Sequence, residues 1–197
     1  MKTTSTITIH MASSLDGFIA RRDGSVDWME TADRYEAGAS MTPEYVDEVL
    51  GSIDCYVMGS RTYETALAFE ADGAGWAYGE TPTIVLTTRD LPRSRDSVTF
   101  HQGDLTEFVE QELRPRFENA WVVGGGSVCG AFARLGLADE VRTSILPVLI
   151  GDGIAFFEAL GRDVPLHLMD VQAFDTGMVE LRYRLGAAGP ASTSPQN

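Results

Sequence analysis

The sequence predicts an α/β fold with a mostly parallel sheet and an antiparallel hairpin at its C-terminal end, and three observations carry that prediction. Short β-branched runs alternate with segments of helical periodicity over the first two thirds of the chain. Three of those runs stop abruptly at polar or glycine-rich segments, namely Gly59-Ser60-Arg61-Thr62, Thr87-Thr88-Arg89 and Gly124-Gly125-Gly126-Ser127. In the last third, two further apolar runs are joined by Asp175-Thr176-Gly177, which has the chemistry of a hairpin turn.

Taken in order, Ile7 to Ser13 (ITIHMAS) reads as the first strand, with a turn signal at Asp16-Gly17. Thr42 and Pro43 are placed as cap and first residue of a helix running to about Leu50. Cys55 to Met58 is a buried strand closed by Gly59, and Thr83 to Thr88 is the next. A short strand spans Val98 to His101. Asp104 then caps a helix whose Leu105, Phe108, Val109 and Leu113 share one face, with Glu107 reinforcing the cap. Ala120 to Val123 is a strand, and Val128, Phe132 and Leu135 give the helix after the glycines its apolar face. Glu140 to Ile150, Leu166 to Phe174 and Met178 to Leu185 complete the strands, the last with Val179, Leu181, Tyr183 and Leu185 opposite Glu180, Arg182 and Arg184. A single domain is expected over residues 1–185, followed by a disordered tail over 186–197.

With 197 residues, 44% of them hydrophobic and 22% charged, the chain has the composition of one soluble domain. Its formal net charge of −14 argues against nucleic acid or an anionic membrane as partner, because both recruit an excess of Lys and Arg. No apolar run approaches the roughly 18 to 20 residues that span a bilayer, and MKTTSTITIH lacks a signal-peptide core, so a cytoplasmic location is expected. Cys55 and Cys129 have neither metal-ligand spacing nor the density of a disulfide scaffold. His10, His101 and His167 lie far apart, so no metal site is expected.

In open α/β sheets, ligands gather at the carboxyl ends of strands, which is where the three polar segments fall. In WVVGGGSVCG (121–130), bare backbone at a strand-to-helix junction suits an anion such as a dinucleotide phosphate, while a tight turn without a ligand is the competing reading. The GxGxxG spacing fails because Cys129 stands where its last glycine belongs. Arg89, Arg93 and Arg95 form a basic patch after a strand end, suited to a ribose 2′-phosphate and therefore to NADPH over NADH; a solvated loop face is the alternative. Ser60, Thr62, Thr87 and Thr88 offer hydroxyl donors. Asp16 and, second, Asp27 are candidate carboxylates for assisting protonation, although the first is equally a turn residue and the second a loop acid or cap. Trp28, Tyr63 and Trp76 are candidate stacking partners for a flat heterocycle.

The stretches SSLDGFIA (13–20), VMGSRTYE (57–64), VLTTR (85–89), VVGGGSV (122–128) and PVLIGDGIAFF (147–157), in this order, resemble the dihydrofolate reductase superfamily. The resemblance is greatest to the branch that includes the reductase domain of riboflavin biosynthesis. It implies a three-layer α/β/α fold around a mixed, mostly parallel sheet of about eight strands, an NADPH cofactor and a homodimer. By the same resemblance Gly59, Ser60, Arg61, Thr62, Thr87, Thr88 and Arg89 hold the adenosine half of the cofactor. Gly124, Gly125, Gly126, Ser127 and Val128 hold its pyrophosphate and nicotinamide side, and Ser14, Leu15, Asp16 and Gly17 lie near nicotinamide and substrate. Two departures stand out: the pterin-binding helix carboxylate of folate reductases has no match between Val26 and Val49, and Val123 occupies the position where riboflavin reductases carry a glutamate. There is no HxE…PCxxC deaminase half. The expected function is NADPH-dependent hydride transfer to a small pterin- or pyrimidine-like heterocycle. Two alternatives remain: the 5-amino-6-(5-phosphoribosylamino)uracil reductase reaction, and a non-enzymatic nucleotide-binding module.

Overall fold

The structure, a computed structural model, describes residues 5–186, so the tail expected to be disordered lies outside the described residues apart from Gly186. Among these residues are ten strands: β1 Thr6–Ser14, β2 Phe18–Ala20, β3 Cys55–Gly59, β4 Thr83–Leu86, β5 Val98–His101, β6 Asn119–Val122, β7 Glu140–Leu146, β8 Ile154–Ala155, β9 Leu166–Ala173 and β10 Val179–Leu185. Eight of them form one sheet in the order β5-β4-β3-β6-β1-β7-β10-β9, and β2 pairs with β8 in a small second sheet. The pairs from β5 to β7 are parallel, and β10 runs antiparallel to both of its neighbours. This is the predicted α/β architecture with its terminal hairpin.

The helices are α1 Pro43–Gly51, α2 Ser60–Ala71, α3 Leu105–Phe108, α4 Arg114–Arg116 and α5 Gly126–Leu135, with a π-helical turn at Val109–Leu113 joining α3 to α4. Strand alternation distributes the core between two faces. Cys55 and Val57 of β3 and Ala120 and Val122 of β6 enter one cluster, closed by Phe108, Val109 and Leu113 on one side and Cys129 and Phe132 of α5 on the other. Tyr56, Met58 and Trp121 point the opposite way and meet Tyr63 of α2. The sheet is therefore sandwiched between helices, because its central parallel strands are apolar on both sides.

Boundaries differ from expectation for local reasons. The strand expected to reach Thr88 stops at Leu86, where the Thr87 side chain accepts the Arg89 N–H at 2.9 Å and turns the chain. The strand expected to reach Ile150 stops at Leu146, one residue before Pro147, which has no N–H to give the ladder. Both predicted side-chain caps form: Thr42 accepts from the Tyr45 N–H, and Asp104 from the Glu107 N–H. β2 and β8 are too short to leave a periodic signal.

The outer hairpin contains a correction in phase. Arg182 pairs with Asp170 and Tyr183 with Leu168, so Met169 is bulged out of the ladder. The extra residue keeps Leu166, Leu168 and Val171 on the same face as Leu185, Tyr183 and Leu181. Leu166, Leu168 and Val171 are 49%, 49% and 53% exposed, so β9 presents an apolar edge to solvent. Among the described residues no helix is long and apolar enough to cross a membrane, and no three acidic, histidine or cysteine side chains are placed to share a metal ion.

On β1, His10 packs against Trp121 with ring centroids 4.4 Å apart and the planes tilted by 40°. Burial, and then the positive charge of Arg142, push its imidazole down from 6.5 to about 3. A histidine that stays neutral in the fold but protonates in the unfolded chain contributes nothing to the pH dependence above 6.5 and costs stability as pH falls below it. Between pH 8 and pH 5 this group is expected to remove about 2 kcal/mol. Urea denaturation at the two pH values, on the wild type and on His10→Gln, checks this; the variant should show the smaller fall.

Candidate functional site

The carboxyl ends of β3 and β6 lie side by side, and each leads directly into a helix. The Gly59 N–H donates to the Gly124 carbonyl at 2.8 Å and the Val123 N–H to the Val57 carbonyl at 2.9 Å, so the two strand-to-helix junctions are stitched to one another. Beside them opens a cleft of about 890 Å³, walled by apolar groups such as Met11, Ile19, Phe69 and Ile154 and floored by the two helix starts. The helix capping pattern singles this place out. Of the α-helices that start from extended backbone, α1 and α3 have side-chain caps, whereas α2 and α5 begin at Gly59 and Gly125 with none; α4, also uncapped, continues the π-helical turn. The first N–H groups of a helix have no partner within it. Two sets of donors, with two helix dipoles behind them, thus face one cleft.

The fold requires a glycine at two of the three consecutive positions. Gly124 has φ +114°, a conformation that favours glycine, and a Cβ there would meet Met11 Cε at 2.9 Å. A Cβ at Gly126 would lie 2.3 Å from the Ala155 carbonyl oxygen, so α5 can sit against β8 only with bare backbone at this point. The Glu158 N–H completes that contact by donating to the Gly126 carbonyl at 3.2 Å. Gly125 has neither constraint: its φ is −77°, and a Cβ would touch only Thr62 Oγ1, at 3.7 Å. Gly125 lines the cleft, and Ser60, Arg61, Thr62, Ser127 and Val128 line it with Gly59 and Gly126. The Gly124–Gly125 peptide bond is cis.

A recess of about 360 Å³ continues from the same place, sharing Ser60 and Leu86 and adding Thr87, Thr88, Arg89 and His101. Of the expected basic patch only Arg89 faces it. Arg95 instead pairs with Glu70 and lies over the Trp76 ring, 4.1 Å from its centroid. Arg93 donates to the Asp96 and Arg95 carbonyls. Arg89 is held by Glu64 through two bonds of 2.8 and 2.5 Å. Arg61 lines the cleft and is exposed; it forms no ion pair within 4 Å among the described residues, although its charge helps to hold the Glu64 carboxyl down.

The residues expected on the substrate side are not gathered in the cleft. Asp16 is fully exposed; it accepts from the Ser14 hydroxyl at 2.6 Å and from the Gly151 N–H at 2.7 Å, and fastens the β1–β2 turn to the loop before β8. The Ser14 hydroxyl, then the Gly151 and Ile150 N–H groups, hold its carboxyl below the usual range, which suits a clamp rather than a proton donor. Asp27 pairs with Arg21 at 2.7 Å on the surface. Leu15 is 64% exposed and anchored by its N–H to the Val148 carbonyl. Trp28 is buried between Val26 and Met29, which do reach the cleft. Tyr63 is fully buried, donating its hydroxyl to the Pro92 carbonyl at 2.8 Å, so it packs the helix rather than a ligand. Trp76 stands edge-on to Tyr63 and Tyr78 and is covered by Arg95.

One lining carboxylate escaped the sequence reading. Glu158 is the sole acid among the described residues that line the cleft, brought there by the contact of its backbone with the start of α5. Nothing in its local sequence distinguishes it. Burial pushes the thiols of Cys55 and Cys129 up to about 12, so neither supplies a thiolate nucleophile.

A family model described as the RibD C-terminal domain matches residues 5–180. The uncharacterized protein YwjB of Bacillus subtilis (strain 168) is 26% identical over 175 residues, which are 89% of this chain and 95% of that one. The uncharacterized protein YyaP of the same organism is 24% identical over 185 residues, 90% of this chain and 93% of that one. Among solved structures, a putative riboflavin biosynthesis protein from Shewanella sp. PV-4 shares the fold with a TM-score of 0.77 at 23% identity, over 92% of this chain and 99% of that one. The diaminohydroxyphosphoribosylaminopyrimidine deaminase/5-amino-6-(5-phosphoribosylamino)uracil reductase of Thermotoga maritima shares it with a TM-score of 0.64 at 17% identity, over 94% of this chain and 58% of that one. The match over nearly the whole described chain, on a sheet and glycine junction of the expected kind, shows that this protein belongs to the RibD C-terminal domain family, within the dihydrofolate reductase-like superfamily.

Proposed function

We propose that the protein is a reductase that uses a nicotinamide dinucleotide, NADPH in preference to NADH, to reduce a C=N or C=O bond of a small pterin- or pyrimidine-like heterocycle. The observation that carries this reading is the pair of uncapped helix starts at one cleft, with Gly125 bare for no packing reason. A pyrophosphate fits such a cradle, because it accepts hydrogen bonds from free N–H groups and is drawn by both dipoles. When bound, the dinucleotide supplies the hydride.

Gly125, Gly126 and Ser127 would hold the pyrophosphate with their N–H groups, and Ser60, Arg61 and Thr62 would meet it from α2. Thr87, Thr88 and Arg89 would hold the adenosine end in the adjoining recess. The apolar wall of Met11, Ile19, Ala20 and Ile154 excludes water from the reacting faces, and the Asp16 clamp keeps β2 and β8 in register beside it. Asp16 is thus a positioning residue. Glu158 is the carboxylate within reach to hold a substrate N–H. The riboflavin reaction itself would need a cation for the substrate phosphate near Asp16 and Val123. The two arginines of that region, Arg21 and Arg22, hold Asp27 and Asp152 in exposed ion pairs that a phosphate could exchange, so the riboflavin reaction stays as the alternative within the broader heterocycle reading. We also propose a homodimer formed through the apolar face of β9 and β10.

A titration with NADPH and NADH, followed at 340 nm against dihydrofolate and the ribosylamino-pyrimidine phosphate, tests the reading; binding without turnover on any heterocycle would favour a non-enzymatic nucleotide-binding module. Gly125→Ala should keep its melting temperature and lose at least about tenfold in NADPH affinity. Gly126→Ala should instead lose about 1 to 3 kcal/mol of stability through overpacking against Ala155. Arg89→Ala should weaken NADPH by about tenfold or more and NADH little, since the charge-assisted contact is made only to the 2′-phosphate. Light scattering of Leu168→Glu should give half the mass of the wild type.

A further inference from the structure

Glu64 occupies the arginine on which the adenosine end of the site depends. It lies in the second turn of α2, where its two carboxylate oxygens take the two terminal nitrogens of Arg89 at 2.8 and 2.5 Å. This is a fork that a phosphate could use, so that end of the guanidinium is taken before any ligand arrives, while Nε–H and the second N–H of each terminal nitrogen stay outside the pair. The backbone of Arg89 does not depend on the contact, because its N–H is fixed to Thr87 Oγ1 at 2.9 Å. The side chains of Arg89 and Glu64 are 53% and 42% exposed, and ion pairs of that kind are weak enough to be exchanged. Arg89 holds the Glu64 carboxyl below the usual range by its hydrogen bond, so the group stays negative at neutral pH.

The two nucleotides meet this pair differently. A 2′-phosphate has to displace the carboxylate or lie beside it, like charge against like charge. A 2′-hydroxyl can donate to the carboxylate and leave the pair intact, as acidic residues do for the ribose elsewhere. We infer that Glu64 is a specificity-determining residue that holds down the preference for 2′-phosphorylated over unphosphorylated nucleotide by competing for Arg89. The inference rests on the nicotinamide-nucleotide reading of the cleft.

Dissociation constants for NADPH and NADH, measured by calorimetry on the full chain and on Glu64→Gln, test it. The ratio of NADH to NADPH dissociation constants should rise roughly two- to fivefold in the variant, chiefly through tighter NADPH. Glu64→Ala, at an exposed helix position that alanine favours, should shift the ratio in the same direction, and Glu64→Asp should stay nearer the wild type because the charge remains. A loss of packing would weaken both nucleotides together and leave the ratio alone. A ratio that is unchanged or lower in both Glu64→Gln and Glu64→Ala, with wild-type binding intact, overturns the role of Glu64 only. A wild type that binds neither nucleotide overturns the cofactor reading, and the role of Glu64 with it.

Discussion

Everything at the cleft depends on one close approach of backbones, where the chain leaving β6 passes within hydrogen-bonding distance of the chain leaving β3 and then packs against β8. Gly59 bonds to Gly124, Glu158 bonds to Gly126, and no side chain fits at Gly126. This contact aims α2 and α5 at the same space. Had either helix carried a threonine or aspartate at its cap, as α1 and α3 do, one set of donors would be satisfied internally and the cleft would lose much of its pull on an anion.

The same contact explains why the site is split from its supports. Asp16, Ser14 and Gly151 form a clamp outside the cleft, Tyr63 locks α2 onto the loop at Pro92, and Arg95 closes over Trp76. Each sits one layer behind a residue that does reach the opening: Ile19 and Ala20 for the clamp, Thr62 for Tyr63, Tyr78 for Trp76. The supports are costly to lose because they fix positions, and a cleft lined mainly by backbone and short hydroxyls has few long side chains with which to adapt.

The sheet and the glycine junction were legible in the sequence because their signals are local: alternation in β10, a capping aspartate before α3, an apolar run stopping at three glycines. The division of labour among those glycines was not, since the oxygen that forbids a side chain at Gly126 belongs to Ala155, far along the chain. Glu158 was missed for the same reason. Arg93, Arg95 and Arg89 look alike as a cluster of charges, and only the folded positions of Glu70 and Trp76 around Arg95, and of the Arg95 and Asp96 carbonyls around Arg93, separate the two that serve structure from the one that faces the recess. The bulge at Met169 is likewise invisible from spacing, because the apolar residues of β9 lose their alternation at that point and regain it only when paired with β10.

The most direct test of this account follows the backbone amide resonances of the protein by NMR as NADPH is added. Nucleotide in the cradle gives saturable shifts concentrated at Ser60, Arg61, Gly125, Gly126 and Ser127, the two helix starts together, with smaller changes at Thr87 to Arg89. Shifts confined to one helix start, or none at either at millimolar nucleotide, would contradict the claim that the paired uncapped helices form a pyrophosphate cradle.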